Sequence, residues 1–434
     1  MKRLNTKNCT VKEVAEQLAV RSMDDSLDAS VASILQQVRQ EGDAAVRACT
    51  KQFDGIDTDR LFVETGRLKE AKDRIRTEEP ELYEALQLAI ARVRNYHEKQ
   101  KTAGWWMHEE GAILGQLVRP LTRVGIYVPG GTAAYPSTVL MNVIPAQVAG
   151  VPEIVIATPP AAQNAASEVV MATAAMLGVE QIYLAGGAQA IAALAYGTES
   201  CPRVDKITGP GNRYVAAAKR SVYGTVDIDM IAGPSEILVI ADETAVPSVV
   251  AADLLSQAEH DPNARVILLS PDEDLLDRVE EETMRQLAHL ARKEIAEQAI
   301  AQGGYLIRTD DLTEAVTVSN AIAPEHLSLQ IRNPFDFVPL VSNAGSIFVG
   351  PWTPEALGDY LAGPNHTLPT AGTARFSSPL SVQDFCKKSS VSYFTKEAFE
   401  KLSDPVQRLA RTEGLEAHAR AVAIRKEASD ESLS

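Results

Sequence analysis

From about Ile113 onward the chain repeats one rhythm: a short β-branched run, then Gly or Pro, then an Ala-rich amphipathic stretch. Arg123-Val-Gly-Ile-Tyr-Val128, Glu153-Ile-Val-Ile-Ala157, Gln181-Ile-Tyr-Leu-Ala185 and Val204-Asp-Lys-Ile207 read as strands, with helices over 138–149, 165–177 and 188–196 between them. Such alternation builds a parallel sheet, because a return to the same strand direction needs a crossover long enough to hold a helix. A second set follows: Ile237-Leu-Val-Ile240, Arg265-Val-Ile-Leu-Leu269, Gly304-Tyr-Leu-Ile307, Leu327-Ser-Leu-Gln-Ile331 and Ser346-Ile-Phe-Val349. The repetition predicts an α/β protein with two related open, mostly parallel sheets, the chain crossing between them at Ile231-Ala-Gly-Pro-Ser-Glu236.

Either side of this region the pattern is helical. Thr10-x-x-Glu13 is a capping box opening a short helix, and periodic segments cover 27–40, 43–53 and 80–101. Their mixed-charge faces suggest helices laid against a core, and His97 and His108 read as surface residues. After Pro379 come a short strand, Ser390 to Phe394, helices through Arg425 and a polar tail that should fray.

A chain of 434 residues, 45% of them hydrophobic, can bury a sizeable core and should form more than one domain. Its net charge of -16 opposes the counterion release that drives nucleic-acid binding and disfavours anionic membranes, so neither partner is expected. Cys9, Cys49, Cys201 and Cys386 lie far apart with no CxxC spacing, which argues against a disulfide framework or a thiolate zinc cluster and fits a reducing cytoplasm. Neither a signal peptide nor a run of membrane-spanning length is read from the sequence.

The polar residues cluster at the ends of these elements. Gln257 and His260 lie three apart where an apolar helix ends, so an amide oxygen and an imidazole could hold one cation between them. Asp359, in Ala-Leu-Gly-Asp-Tyr, and His418, in Glu413-Gly-Leu-Glu-Ala-His418, would complete a set suited to a zinc-like ion with positions open for substrate. Taken singly, each has a plainer reading: a satisfied helix end, a turn residue, an outer helix face. Glu325 and His326, in Ala-Pro-Glu-His-Leu, offer two proton acceptors of unlike pKa before a strand, or simply a solvated acid and a packed ring. Three glycine turns follow strands of the first sheet: Val128-Pro-Gly-Gly-Thr132, Ala185-Gly-Gly-Ala-Gln189 and Thr208-Gly-Pro-Gly-Asn-Arg213. They suit an anion at helix starts, or are merely tight turns. The dinucleotide fingerprint itself is broken, with Tyr214 at its third glycine and no acid after Ala157-Thr-Pro-Pro160.

Taken together these motifs resemble the histidinol dehydrogenase family along nearly the whole chain: Gly-Ile-Tyr127-Val-Pro-Gly-Gly, Gly-Gly-Ala-Gln189-Ala-Ile, Gly-Pro-Gly-Asn212-Arg-Tyr, Ala-Gly-Pro-Ser235-Glu, Ser-Gln257-Ala-Glu-His260-Asp, Ala-Pro-Glu325-His326-Leu, Gly-Asp359-Tyr, Gly-Pro-Asn-His366-Thr and Glu413-Gly-Leu-Glu-Ala-His418. The resemblance implies incomplete Rossmann-like sheet domains with small helical extensions. These would be an N-terminal arm over 1–23, a first α/β domain of 24–127 with 236–378, an NAD-binding α/β domain over 128–235 and a C-terminal dimerisation segment over 379–434. It further implies Zn²⁺ on Gln257, His260, Asp359 and His418, and a catalytic pair of Glu325 and His326. NAD contacts would come from Tyr127, Gln189 and Asn212, and substrate contacts from Ser235, Glu413, His326 and the zinc ligands. An intertwined cytoplasmic homodimer with shared sites, oxidising L-histidinol to L-histidine with two NAD⁺, is the implied whole. Rival expectations are a zinc and NAD enzyme for another small alcohol, a zinc hydrolase using Glu325, and a non-catalytic scaffold.

Overall fold

Every strand expected from the alternation is present, and each pairs in parallel with its neighbour. The computed structural model describes residues 1–18, 25–130, 135–161 and 165–427. The chain divides into two units, Met1–Lys101 with Leu121–Phe385, and Thr102–Pro120 with Cys386–Ser434.

The first unit holds both parallel sheets. Strands are numbered along the chain. One sheet has the order β6-β5-β4-β7-β8, built from β4 (Arg123–Tyr127), β5 (Glu153–Thr158), β6 (Gln181–Leu184), β7 (Lys206–Thr208) and β8 (Asp227–Ile228). The other has the order β1-β11-β10-β9-β12-β13, from β1 (Lys2–Asn5), β9 (Glu236–Ala241), β10 (Arg265–Ser270), β11 (Gly304–Arg308), β12 (His326–Gln330) and β13 (Ser346–Val349). Alternation within the strands sorts residues onto opposite faces. Tyr127, Val155, Ala157 and Tyr183 join one core, and Ile126, Ile156, Ile182 and Leu184 join another. The six-stranded sheet repeats this, with Ile237, Val239, Val266 and Leu268 opposite Leu238, Ile240, Ile267 and Leu329. Helices bury both faces, which is why these strands read as unbroken apolar runs.

The second unit carries a three-stranded antiparallel sheet of β2 (Trp105–Glu109), β3 (Ala112–Pro120) and β14 (Cys386–Phe394), followed by helices Lys396–Thr412 and Glu416–Glu427. The two earlier strands were not expected, and β14 starts four residues before the predicted Ser390. Exposed residues dominate β2 and β14, so the apolar signal that marks the buried strands is missing.

Three further expectations are refined. The capping box at Thr10 and Glu13 is present, with both reciprocal bonds made. The first segment is not purely helical, because Lys2–Asn5 adds an edge strand parallel to β11, a polar run recruited by the sheet rather than by its own propensity. His97 is not a surface residue: it is 0% exposed, with Nδ1 2.8 Å from the Val93 carbonyl and Nε2 3.3 Å from Asn365 Nδ2. His108 is exposed as expected. The four cysteines are free, and no helix among the described residues is long and apolar enough to cross a membrane. Gly131 and Thr132 of the first glycine turn, part of the N-terminal arm and the polar tail from 428 lie outside the described residues.

Candidate active site

The two sheets present chemistry at opposite ends of their strands. In the five-stranded sheet it gathers at the carboxyl edge. Tyr127 ends β4, is 3% exposed, and its hydroxyl accepts the Gly187 N–H at 3.1 Å where helix Gly187–Tyr196 begins. Gln189 lies buried in the first turn of that helix. Asn212 caps helix Arg213–Val222, its Oδ1 accepting from the N–H groups of Tyr214 (3.0 Å) and Val215 (3.2 Å), and is itself exposed. Gly209, at φ +112°, presses against β4 so closely that a Cβ would overlap the Tyr127 carbonyl. Its N–H donates to Asp229 Oδ2 (2.8 Å) and its carbonyl accepts from Lys219 Nζ (3.0 Å). Lys219 and Asp229 pair with side chains only 3% and 1% exposed. A buried ion pair thus grips the two peptide groups flanking Gly209, fixing the turn just before the helix that Asn212 caps.

In the six-stranded sheet the polar residues collect at the amino edge. His326 opens β12 and Glu236 opens β9, the register pairing His326 with Ile237. Helix Leu312–Ile322 ends on Ala323 in the left-handed region and the chain bends at Glu325, so Glu325 and His326 both reach the backbone of Glu236 despite being adjacent. Glu325 Oε2 accepts the Glu236 N–H (2.9 Å) and lies 3.6 Å from His326 Nδ1. That Nδ1 is 3.0 Å from the Glu236 carbonyl. A carbonyl only accepts, so Nδ1 carries the proton and Nε2 is a bare acceptor. Nε2 is buried without a hydrogen-bond partner. Ring stacking on Phe348, with centroids 5.9 Å apart, holds the imidazole in place.

Around Nε2 the acids converge. Helix Glu355–Tyr360 puts Glu355 and Asp359 one turn apart on one face, and single ligand atoms of His326, Glu355 and Asp359 all lie within 4.8 Å of one another. Helix Pro247–Ala258 brings in Gln257, 1% exposed, whose amide nitrogen donates to the Glu355 carboxylate when its oxygen faces the other way. His260 follows in the turn after the helix; its N–H bonds the Gln257 carbonyl (3.2 Å), so a tight turn rather than the helix itself sets their spacing. The residue keeps some exposure, yet partial burial lowers the basicity of its ring, whose charge reaches both His326 and His366. Ser235, half-buried, precedes β9 and bonds Arg265 N through its carbonyl (3.0 Å). A cavity of about 110 Å³ opens beside the cluster, lined among others by His326, Ser346, Phe348, Asp359, Asn365 and His366. The remaining two expected residues, Glu413 and His418, belong to the second unit. Both are exposed, Glu413 ending helix Lys396–Thr412 and His418 lying in helix Glu416–Glu427.

Burial governs the electrostatics. It lifts Glu325 well above the usual carboxylate range, against the Glu236 N–H bond and with the charges of Glu236 and Asp359 adding to it. Glu355 is raised in the same way by burial, then by Asp359, Glu325 and Asp253. Burial raises Asp359 to about 6 and pushes His326 down to about 4, the latter helped by His260 and His366. So many dehydrated acids around bare imidazole nitrogens cannot all ionise alone; they need protons or a cation. Sequence reasoning missed Glu355, Glu236 and Asp253, and left His366 without a role. His366, whose Nε2 is buried and unpartnered, and Glu236 both lay in quoted motifs without being given a role; Glu355 and Asp253 gave no spacing signal.

The chain matches the family model described as Histidinol dehydrogenase over residues 19–426. It is 51% identical over 425 residues to histidinol dehydrogenase of Aquifex aeolicus (strain VF5), covering 98% of each chain. With histidinol dehydrogenase of Halalkalibacterium halodurans it shares 54% identity over 399 residues, 92% of this chain and 93% of the relative. The crystal structure of histidinol dehydrogenase from Elizabethkingia anophelis superposes with a TM-score of 0.92 at 39% identity, covering 98% of both chains. Similarity at this level, end to end in both sequence and fold, makes the chain a member of the histidinol dehydrogenase family of oxidoreductases.

Proposed function

We propose that the chain oxidises L-histidinol through L-histidinaldehyde to L-histidine, using two NAD⁺ in succession, as a cytoplasmic zinc-containing homodimer whose partner copies share sites. The observation that carries this reading is His326: a buried imidazole locked as the Nδ1–H tautomer, its unpartnered Nε2 facing a small cavity, with a carboxylate of unlike basicity beside it. The relatives' printed names supply the substrate.

The donor set fits a divalent ion. The clustered Glu355 and Asp359 carboxylates are what a cation would neutralise, and the buried Gln257 amide beside them offers it a further oxygen. Gln257, His260 and Asp359 would hold zinc, with His418 completing the set. Glu355 takes the role of an outer partner, accepting the Gln257 amide N–H and freeing its oxygen as a ligand. Bound zinc would supply a template for the substrate's imidazole and amino nitrogens and no redox chemistry of its own.

At the other edge Tyr127, Gln189 and Asn212 would hold NAD, which supplies the hydride acceptor for each oxidation. His326 Nε2 takes the proton of the substrate hydroxyl during the first oxidation. Glu325, a stronger proton acceptor for being dehydrated, activates water to attack the aldehyde. His326 then serves again as base for the resulting diol. None of the four cysteines lies in the cluster, so a water-derived diol is the route these residues permit, rather than a thiohemiacetal. Ser235 and Glu413 would contact the substrate, the carboxylate suiting a basic imidazole.

The test is stoichiometric. Metal-analysed protein should form about two NADH per histidinol consumed, as the two successive oxidations of the mechanism require. A ratio of one, or NADH formation with unrelated alcohols but not histidinol, would overturn the reading.

A further inference from the structure

Glu236 touches both members of the Glu325 and His326 pair with its own backbone. Its N–H donates to Glu325 Oε2 at 2.9 Å, and its carbonyl accepts the His326 Nδ1–H at 3.0 Å. One residue therefore sets where the carboxylate lies and which nitrogen of the ring is bare. The neighbouring strand, in register, makes this possible, since Glu236 precedes the residue that pairs with His326.

The side chain of Glu236 has no direct part in that arrangement, yet it is 1% exposed and charged when ionised, which a core tolerates only where partners hold it. Its Oε1 accepts the N–H of Ala371, and its Oε2 lies 3.4 Å from Arg265 Nη1, whose side chain is itself mostly buried. Ala371 stands at φ +55°, a conformation that a residue with a Cβ seldom adopts and that persists only where its surroundings hold it. A second tie joins the same two segments: the Gly233 N–H donates to Thr370 Oγ1 at 2.6 Å. The start of β9 is thus anchored from the side by the 370–371 turn and by Arg265.

We propose that Glu236 is a positioning residue whose carboxylate, held by the Ala371 amide and by Arg265, fixes its own peptide groups so that Glu325 and the Nδ1–H form of His326 are presented together. This rests on the reading of Glu325 and His326 as the catalytic pair. The role explains why an acid, rather than an apolar residue, starts a strand in the middle of a sheet buried on both faces.

Glu236→Asp is the informative variant, because it keeps charge and hydrogen-bonding chemistry while drawing the anchor back by one methylene. A merely structural need for a buried acid would tolerate it. Positioning predicts that kcat falls about 10²-fold for both histidinol and histidinaldehyde, with KM and bound metal near those of the parent protein. NMR of protein carrying isotope-labelled histidine ring nitrogens should show His326 leaving its single Nδ1–H form. Glu236→Gln retains an acceptor for Ala371 but loses the charge facing Arg265, and should fall between parent and Glu236→Asp. Parent kcat in Glu236→Asp, or a loss that follows metal content or thermal midpoint while the ring spectrum stays unchanged, would overturn the proposal. Glu325→Gln is assayed alongside: if it is fully active at both steps, the catalytic assignment fails, while the ring spectra of the Glu236 variants still decide the anchoring.

Discussion

The two parallel sheets of the first unit follow one construction and use it with opposite polarity. At the carboxyl edge of the five-stranded sheet, helices Gly187–Tyr196 and Arg213–Val222 begin, so the positive ends of two helix dipoles face outward over glycine turns, the second start capped by Asn212. At the amino edge of the six-stranded sheet, helix Pro247–Ala258 ends, and Glu325, Glu355, Asp359 and two imidazoles gather beside its negative end. One edge suits an anionic nucleotide, the other a cation and a basic substrate. Parallel sheets ordinarily bind at their carboxyl ends, so the amino-edge site depends on side chains brought in from outside the sheet. The segment 353–372 does this, carrying Glu355, Asp359 and His366, and Asn365 ties it to the five-stranded half by donating to the Met141 carbonyl at 2.6 Å.

If the edges are separate in function, lesions at each should separate too. The largest effect is expected at the acidic edge: Glu325→Gln should slow histidinaldehyde oxidation by about 10²- to 10⁴-fold, keep its metal, and affect the alcohol step far less. Assaying the two substrates separately checks it, and equal losses would remove Glu325 from the water-activating role. Next comes the glycine-turn edge, where Lys219→Met leaves Asp229 buried without its partner. The cost should be about 3–5 kcal/mol of stability by denaturant titration, with weaker NAD binding by fluorescence and unchanged zinc content. Loss of zinc in that variant would show the edges to be coupled. His260→Asn should lower zinc affinity by about 10- to 100-fold and turnover with it, read by metal analysis after dialysis, while NAD binding stays intact. The smallest change is Asn212→Ala, which removes a helix cap worth about 1 kcal/mol and should raise the KM for NAD without touching metal content.

The difference between the edges also explains what the sequence could tell. The carboxyl edge is legible because its parts are local: strand, glycine turn and helix start follow one another within a dozen or so residues, as at Ala185-Gly-Gly-Ala-Gln189. The amino edge is not. Glu236, Gln257, Glu325 and Glu355 come from four separate elements, and only tertiary packing brings them within reach of one another. Without the resemblance, Gln257 and His260 would have remained a satisfied helix end. Glu355 escaped notice altogether because an acid in the first turn of a short helix looks like dipole compensation. His97 was misjudged for a similar reason: its helix has a mixed-charge face, and the partner that makes burial tolerable, Asn365, lies 268 residues away. Strand β1 illustrates the opposite limit, since an edge position lets a polar run such as Lys2–Asn5 join a sheet it would never nucleate.

The place of His326 at the head of β12 has a consequence for how the molecule breathes. That strand lies between β9 and β13 with helices on either side, so its amides should exchange with deuterium only when the whole unit opens. The ring is thus seated where exchange is expected to be slow. If an alcohol enters and an acid leaves beside the ring, the 353–362 stretch, with one short helix and otherwise irregular backbone, should open for them and label faster than the strand does.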